Sequence, residues 1–270
     1  MFKLDVIRYN HANKENIPCF CIFHAPRGQK HFKDFNFLSS FSKNELLNIK
    51  LVVKGGPKFW TCYVEEFLKF ARNNECAVAL SKNVFDAISP EIPETADLFR
   101  FENPLMVGHG SCFRYCLLDY YKSCSFYDTD NTAKWCLNIK NKFDSILKSN
   151  PSIEYIRREP ALSPHFRKEL YRITMGSGIF IKNIGIPIAD FFEERAEQPN
   201  FYEKPVFWEK FPYYGYDEFV LGELYKKEYK NRGKTGILVR EDYSKIFKNP
   251  LFKKEIYEKD IAETPFIYEV

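Results

Sequence analysis

Residues 110–130 read GSCFRYCLLDYYKSCSFYDTD. Gly110 to Lys122 has helical spacing, with Phe113, Cys116, Leu117 and Tyr120 on one face. Ser123 to Tyr127 follows as a short apolar strand, and Asp128-Thr129-Asp130 comes directly after it. Two carboxylates one residue apart in a turn can face one hard cation, which takes oxygen ligands and shares them with substrate phosphates. A strand end puts them at the carboxyl edge of an α/β sheet, where such folds bind ligands. The same spacing also occurs in solvated turns after edge strands, so its weight rests on what surrounds it.

Upstream, Ile17 to His24, Asn48 to Val53 and Cys76 to Leu80 are compact apolar runs that read as buried strands. Phe59 to Asn73 has helical spacing. Downstream, residues 132–148 read as a helix, 149–169 as a polar loop, and Ile173 to Asn183 as an apolar strand interrupted by Gly176 and Gly178. Glycines in such a strand mark a bulge or a close approach to the backbone. Ile188 to Glu197 and Tyr216 to Tyr229 read as helices, the second opening with Asp217-Glu218. Strands alternating with helices predict an α/β sandwich with a mainly parallel sheet flanked by helices.

With 270 residues, the chain has the length of one large domain. Its 27 Phe and 17 Tyr supply a sizeable core. The formal net charge of +4 is spread along the chain, unlike the dense basic patch of a nucleic-acid module, so no nucleic-acid partner is expected. The eight Cys sit mostly in apolar runs and lack zinc-site spacing. The first residues are polar without an apolar leader core, and no run has the length of a membrane span. These features predict a cytoplasmic protein with free thiols. The basic residues from Lys226 to Lys259 suit either a solvated surface or peripheral contact with an anionic membrane.

The ordered set of motifs resembles glycosyltransferases of the GT-A fold. In that family an Arg-bearing helix, here with Arg114, leads into a strand ending in D-x-D. A glycine-containing strand follows, here Gly178-Ile179-Phe180-Ile181-Lys182-Asn183, and later a helix opens with an acidic pair, here Asp217-Glu218. The resemblance covers about residues 105–228. It implies that Asp128 and Asp130 hold Mn²⁺ or Mg²⁺ against a nucleotide diphosphate, with Arg114 near the diphosphate or the Asp pair. It implies that Gly176, Ser177 and Gly178 line the donor-sugar and acceptor pocket. Asp217 or Glu218 would be the general base of an inverting reaction, or a sugar- or acceptor-binding group in a retaining one. Many relatives take a further metal ligand, often His, from the C-terminal part. Here all five His precede residue 166, so that ligand is either absent or an acid such as Asp242.

The resemblance divides the single domain, residues 1–270, into a nucleotide-binding half (17–131), an acceptor and catalytic half (132–229) and a basic C-terminal tail (230–270). The expected activity is metal-dependent transfer of a sugar from a nucleotide-diphosphate sugar to a glycan, lipid-linked or protein acceptor. Trp208, Tyr213 and Tyr214, in an aromatic loop, are candidate acceptor contacts. Two other classes compete. A nucleotidyl- or phosphotransferase also uses paired Asp and a metal, but Gly55-Gly56 lacks a following Lys-Ser/Thr. A non-enzymatic binding module would use the aromatic loop as a recognition surface.

Overall fold

The computed structural model describes residues 2–10, 15, 17–23, 50–54, 77–102, 109–128, 133–158, 177–197, 216–239, 259 and 262–269. Its strands are β1 (Asp5–Arg8), β2 (Ile17–Phe23), β3 (Lys50–Lys54), β4 (Ala77–Ser81), β5 (Leu98–Phe101), β6 (Ser123–Asp128), β7 (Tyr155–Arg158), β8 (Ile179–Lys182), β9 (Thr235–Val239) and β10 (Phe266–Glu269). The helices are α1 (Lys82–Ile88), α2 (Ala133–Ser149), α3 (Ile188–Glu197) and α4 (Tyr216–Leu224). A 3-10 run, His109–Asp119, precedes β6, and a π turn, Tyr225–Tyr229, continues α4. The expected helix over residues 59–73 lies outside the described residues.

The described strands form one sheet in the order β1-β5-β4-β3-β2-β6-β8-β7-β9-β10. The fold is therefore α/β with a mixed sheet. Pairings β2–β3, β3–β4, β4–β5, β2–β6, β7–β9 and β9–β10 are parallel. Pairings β1–β5, β6–β8 and β7–β8 are antiparallel. From β2 the chain steps outward through β3, β4 and β5, then returns to place β6 on the other side of β2. The strand order reverses between β2 and β6, and the carboxyl ends at such a reversal are where open α/β sheets commonly bind ligands.

Alternation along each strand sorts side chains between the two faces. Phe126 of β6 packs on Tyr115 of the 3-10 run, 4.7 Å between ring centroids. Its neighbour Tyr127 turns to Phe143 of α2, 6.4 Å away. The same rule holds on β7. Tyr155 meets Tyr225 and Tyr229 at 5.2 and 5.0 Å, whereas Arg158 lies over Trp135 of α2. The 3-10 run, α3 and α4 thus cover one face, and α2 covers part of the other. By this alternation Asp128 shares the face of Phe126, toward the 3-10 run.

Two side chains lock the 3-10 run in place. The Asp119 carboxylate accepts the Ile188 and Ala189 N–H groups at 2.6 and 3.0 Å, capping α3 from a distant part of the chain. Burial pushes its pKa above the ordinary aspartate value, against those two hydrogen bonds. The Asn183 amide donates to the Leu118 carbonyl, and its Oδ1 accepts the Gly185 N–H at 2.7 Å. This Asn closes the glycine-containing motif, and here it ties the end of β8 to the 3-10 run.

Several elements differ from the sequence reading. Residues 110–122, expected as a helix with one apolar face, lie mostly in the 3-10 run His109–Asp119, in which Cys112 to Leu118 are all buried. Among the polar first residues, Asp5–Arg8 form β1. Arg8 fastens it by donating to the carbonyls of Pro93 and Ala96 at 2.7 and 2.8 Å. The expected loop at 149–169 contains β7, and the proline-broken stretch around residues 90–104 contains β5. Residues 230–270, expected as a basic tail, contribute β9 and β10. The five residues of β9 are fully buried, so this segment is part of the core sheet. Among the described residues no helix is long and apolar enough to cross a membrane. Cys19, Cys112, Cys116, Cys124 and Cys136 are buried.

An ionic cluster joins β7 to β9. Arg232 donates to both Glu154 oxygens, and Lys234 donates to Oε1 at 3.1 Å. The Arg232 hydrogen bond holds the Glu154 carboxyl below its ordinary pKa, despite opposition from burial. A lowered folded-state pKa gives stability that is present above the unfolded value and lost as pH falls through the folded one. Unfolding midpoints should therefore show wild type more stable than Glu154→Gln at neutral pH. That gap should shrink as pH drops below about 4.5, the ordinary value. A gap that stays constant down to pH 3 would contradict the assignment.

Candidate functional site

Asp128 ends β6 where the strand order reverses. Arg114 reaches it from the 3-10 run, and its side chain is only 2% exposed. Its Nη1 donates to Asp128 Oδ1, and its Nη2 donates to Asp217 Oδ2 at 3.2 Å. The guanidinium carbon stands 4.7 Å from the Tyr115 ring centre. A buried guanidinium needs charge partners, and the two carboxylates supply them from separate elements, β6 and the first turn of α4. The Asp217 side chain is 7% exposed. The Asp128 side chain is 21% exposed, so it keeps some contact with solvent.

Asp128 is fixed from its backbone as well. The β6–β8 ladder ends with the Gly178 N–H donating to the Phe126 carbonyl at 2.7 Å. One step further, the Asp128 N–H donates to Ser177 Oγ at 2.9 Å. A buried serine side chain thus continues the role of the ladder where the strand runs out. The Ser177 carbonyl accepts Arg158 Nη1 at 3.3 Å. Arg158 lies with its guanidinium carbon 4.6 Å from the Trp135 ring centre.

Gly178 is needed at this point. Its φ is +72°, and a Cβ there would stand 2.7 Å from Arg158 Cδ and 2.9 Å from Trp135 Cη2. Left-handed backbone strain alone costs a non-glycine residue about 1–3 kcal/mol. Gly178→Ala should therefore lower the urea-unfolding free energy by about that amount and alter Trp fluorescence by displacing the Arg158–Trp135 contact. Wild-type stability in this variant would contradict the packing described.

The residues singled out in the sequence fall into two groups. Arg114, Asp128, Ser177, Gly178 and Asp217 are linked in one hydrogen-bonded and packed constellation. Glu218, next to Asp217 at the start of α4, is half-buried. Asp130, Gly176, Trp208, Tyr213, Tyr214 and Asp242 lie outside the described residues. Sequence reading did not single out Arg158 or Trp135. Their signal was faint: Arg158 sits in a stretch read as polar loop, and Trp135 in one read as an ordinary helix.

Among the described residues no group of three or more His, Cys, Asp and Glu side chains stands ready to hold a metal. Asp128 is a partly exposed carboxylate at the end of β6. Magnesium-type cations are commonly held by one or two carboxylates with substrate phosphates and water. The chemistry of this donor fits such a cation, and not the four-ligand set of a structural zinc site. A separate cleft of about 190 Å³, lined by Ser123, Asp144, Phe180 and Lys182 among others, opens at the opposite end of β6. It shares no residue with the constellation. No family model, curated protein or solved structure matches the chain.

Proposed function

We propose that the chain is a metal-dependent glycosyltransferase of the GT-A type, using a nucleotide-diphosphate sugar with Mn²⁺ or Mg²⁺. The acceptor class is a glycan, a lipid-linked sugar or a protein. The observation that carries this reading is the position of Asp128. It ends β6 at the point where the strand order reverses, which is where open α/β sheets bind their ligands. The convergence of Arg114 and Asp217 on that end adds support, because the motif order of the sequence becomes a spatial cluster. So does the contact of Ser177, from the glycine-containing motif, with the Asp128 backbone.

In this reading the cation, once bound, neutralises charge on the leaving diphosphate. Asp128 is the described residue that would hold it. Arg114 fixes the direction of the Asp128 carboxylate. Asp217 pairs with Arg114, and either Asp217 or Glu218 would serve as the base or the acceptor-binding group.

Incubation of the purified chain with a panel of nucleotide sugars and Mn²⁺ tests the reading. It expects release of a nucleoside diphosphate from one donor, faster when the right acceptor is present. Release of pyrophosphate from nucleoside triphosphates, with no turnover of any nucleotide sugar, would point to a nucleotidyltransferase instead.

A further inference from the structure

We propose that Asp217 is a positioning residue for cation binding at Asp128, acting through the Arg114 that the two carboxylates share. This role rests on the metal-dependent reading above and holds whichever acid of the Asp217-Glu218 pair serves as base. Loss of the Asp217 charge leaves Asp128 neutralised by Arg114 and weakens its hold on Mn²⁺.

The hydrogen bonds give the route. Arg114 Nη1 donates to Asp128 Oδ1, and Nη2 donates to Asp217 Oδ2 at 3.2 Å. One guanidinium thus links the last residue of β6 to the first turn of α4.

Charge gives the reason. A guanidinium stays protonated in proteins, so Arg114 competes with any cation for the Asp128 carboxylate. The two carboxylates and the guanidinium together carry a formal charge of minus one. Without the Asp217 charge the three groups are neutral. Charges act on one another more strongly where water is excluded, and Arg114 and Asp217 are both buried. A divalent cation at Asp128 therefore responds to the charge of Asp217 through the guanidinium between them.

The surroundings hold this arrangement in one frame. Tyr216, beside Asp217, is buried, and its hydroxyl donates to the Phe192 carbonyl of α3 at 3.2 Å. Phe192 in turn stacks on Tyr115, beside Arg114, with 5.9 Å between ring centres and 4° between ring planes. The start of α4 and the 3-10 run are thus both tied to α3. An ion pair kept for stability alone is replaceable by apolar side chains at little cost. This one extends to a partly exposed carboxylate at a strand end, where its charge can act on a ligand.

Titration of Mn²⁺ alone into the full chain, read from the electron paramagnetic resonance signal of free Mn²⁺, tests the proposal. Asp217→Asn keeps the shape of the side chain and an oxygen for Arg114, and loses the charge. It should bind Mn²⁺ about 10–100-fold more weakly than wild type, the usual effect of altering a partner of a metal ligand. Asp217→Glu, which restores the charge, should recover most of the affinity. The double variant Arg114→Met, Asp217→Leu removes the competing cation together with its counter-charge. It should bind Mn²⁺ more tightly than Asp217→Asn and close to wild type, because the local charge is again minus one. It keeps the test decisive if the asparagine form does not fold.

Wild-type Mn²⁺ affinity in Asp217→Asn would overturn the proposal. So would a double variant as weak as Asp217→Asn or Asp128→Asn, because Asp217 would then act on the cation without Arg114. Mn²⁺ binding that is lost in Asp128→Asn but untouched in Asp217→Asn would leave the transferase reading standing without this inference. A wild type that takes up no Mn²⁺ would overturn both.

Discussion

Arg114→Ala should lower the stability of the folded chain by about 3–5 kcal/mol, the usual cost of removing one partner from a buried ion pair. The cause is Asp217. Its side chain is 7% exposed, and in the variant its carboxylate is left among apolar residues without its guanidinium. Chemical denaturation measures the loss. The double variant Arg114→Met, Asp217→Leu should recover a large part of it, since it removes the stranded charge and keeps the volume filled. A single variant within about 1 kcal/mol of wild type would mean that Asp217 does not depend on Arg114, in contrast to the expected loss.

Asp128→Asn separates chemistry from folding. The amide keeps an oxygen that can accept from Arg114, so the unfolding free energy should drop far less than in Arg114→Ala. On the proposed reading, a bound cation would lose its charged ligand. Lewis-acid stabilisation of a leaving phosphate is worth several kcal/mol, which corresponds to a fall of about 10²–10³-fold in transfer rate. The fall should appear with saturating nucleotide sugar and persist at raised Mn²⁺. A variant with full transfer activity would remove Asp128 from the chemistry and leave it as a partner for Arg114 alone.

The contrast between these two substitutions follows from how the edge is built. Asp128 is held at its backbone by Ser177 and at one oxygen by Arg114, yet it stays partly exposed. Asp217 is held by the same Arg114 and is closed off. Two aspartates that look equivalent in a motif list therefore have different access to solvent. That difference comes from the elements that carry them, a strand end in one case and the first turn of a packed helix in the other.

Much of the sheet was legible in the sequence where strands are continuous apolar runs. IPCFCIF, KLVVK, AVALS and SCSFY lie in strands with parallel neighbours, which commonly read as continuous apolar runs. β7 was not legible, because its four residues end in Arg157 and Arg158 and resemble a charged loop. Arg157 is nevertheless buried, donating to Thr264 at 3.1 Å and lying over Tyr225. That burial depends on elements more than 60 residues away in sequence, which local patterning cannot see. β1 is similar: Val6 and Ile7 are both exposed, so the strand has no apolar face to announce it. Its place comes from pairing with β5 and from Arg8.

The candidate site was legible in its parts and not in its geometry. Arg114, Asp128, Ser177, Gly178 and Asp217 were all singled out from motif order. Which of them touch was not readable, because contact depends on strand alternation and on the face covered by the 3-10 run. Nothing in the sequence says that Arg114 lies between Asp128 and Asp217, or that Ser177 receives the Asp128 N–H. The Arg158–Trp135 contact was missed for the same reason. It joins residues 23 apart in sequence through the space that Gly178 leaves open.

The most direct test of the central claim is the thermal unfolding midpoint of wild type and Asp128→Asn, measured with a panel of nucleoside diphosphates, each with and without Mn²⁺. A ligand at 100 times its Kd stabilises by about 2.7 kcal/mol, a rise of about 5–10 °C for a chain of this size. The account predicts such a rise in wild type with one nucleotide family, dependent on Mn²⁺ and lost in Asp128→Asn. No rise with any nucleotide, or the same rise in Asp128→Asn as in wild type, would contradict it.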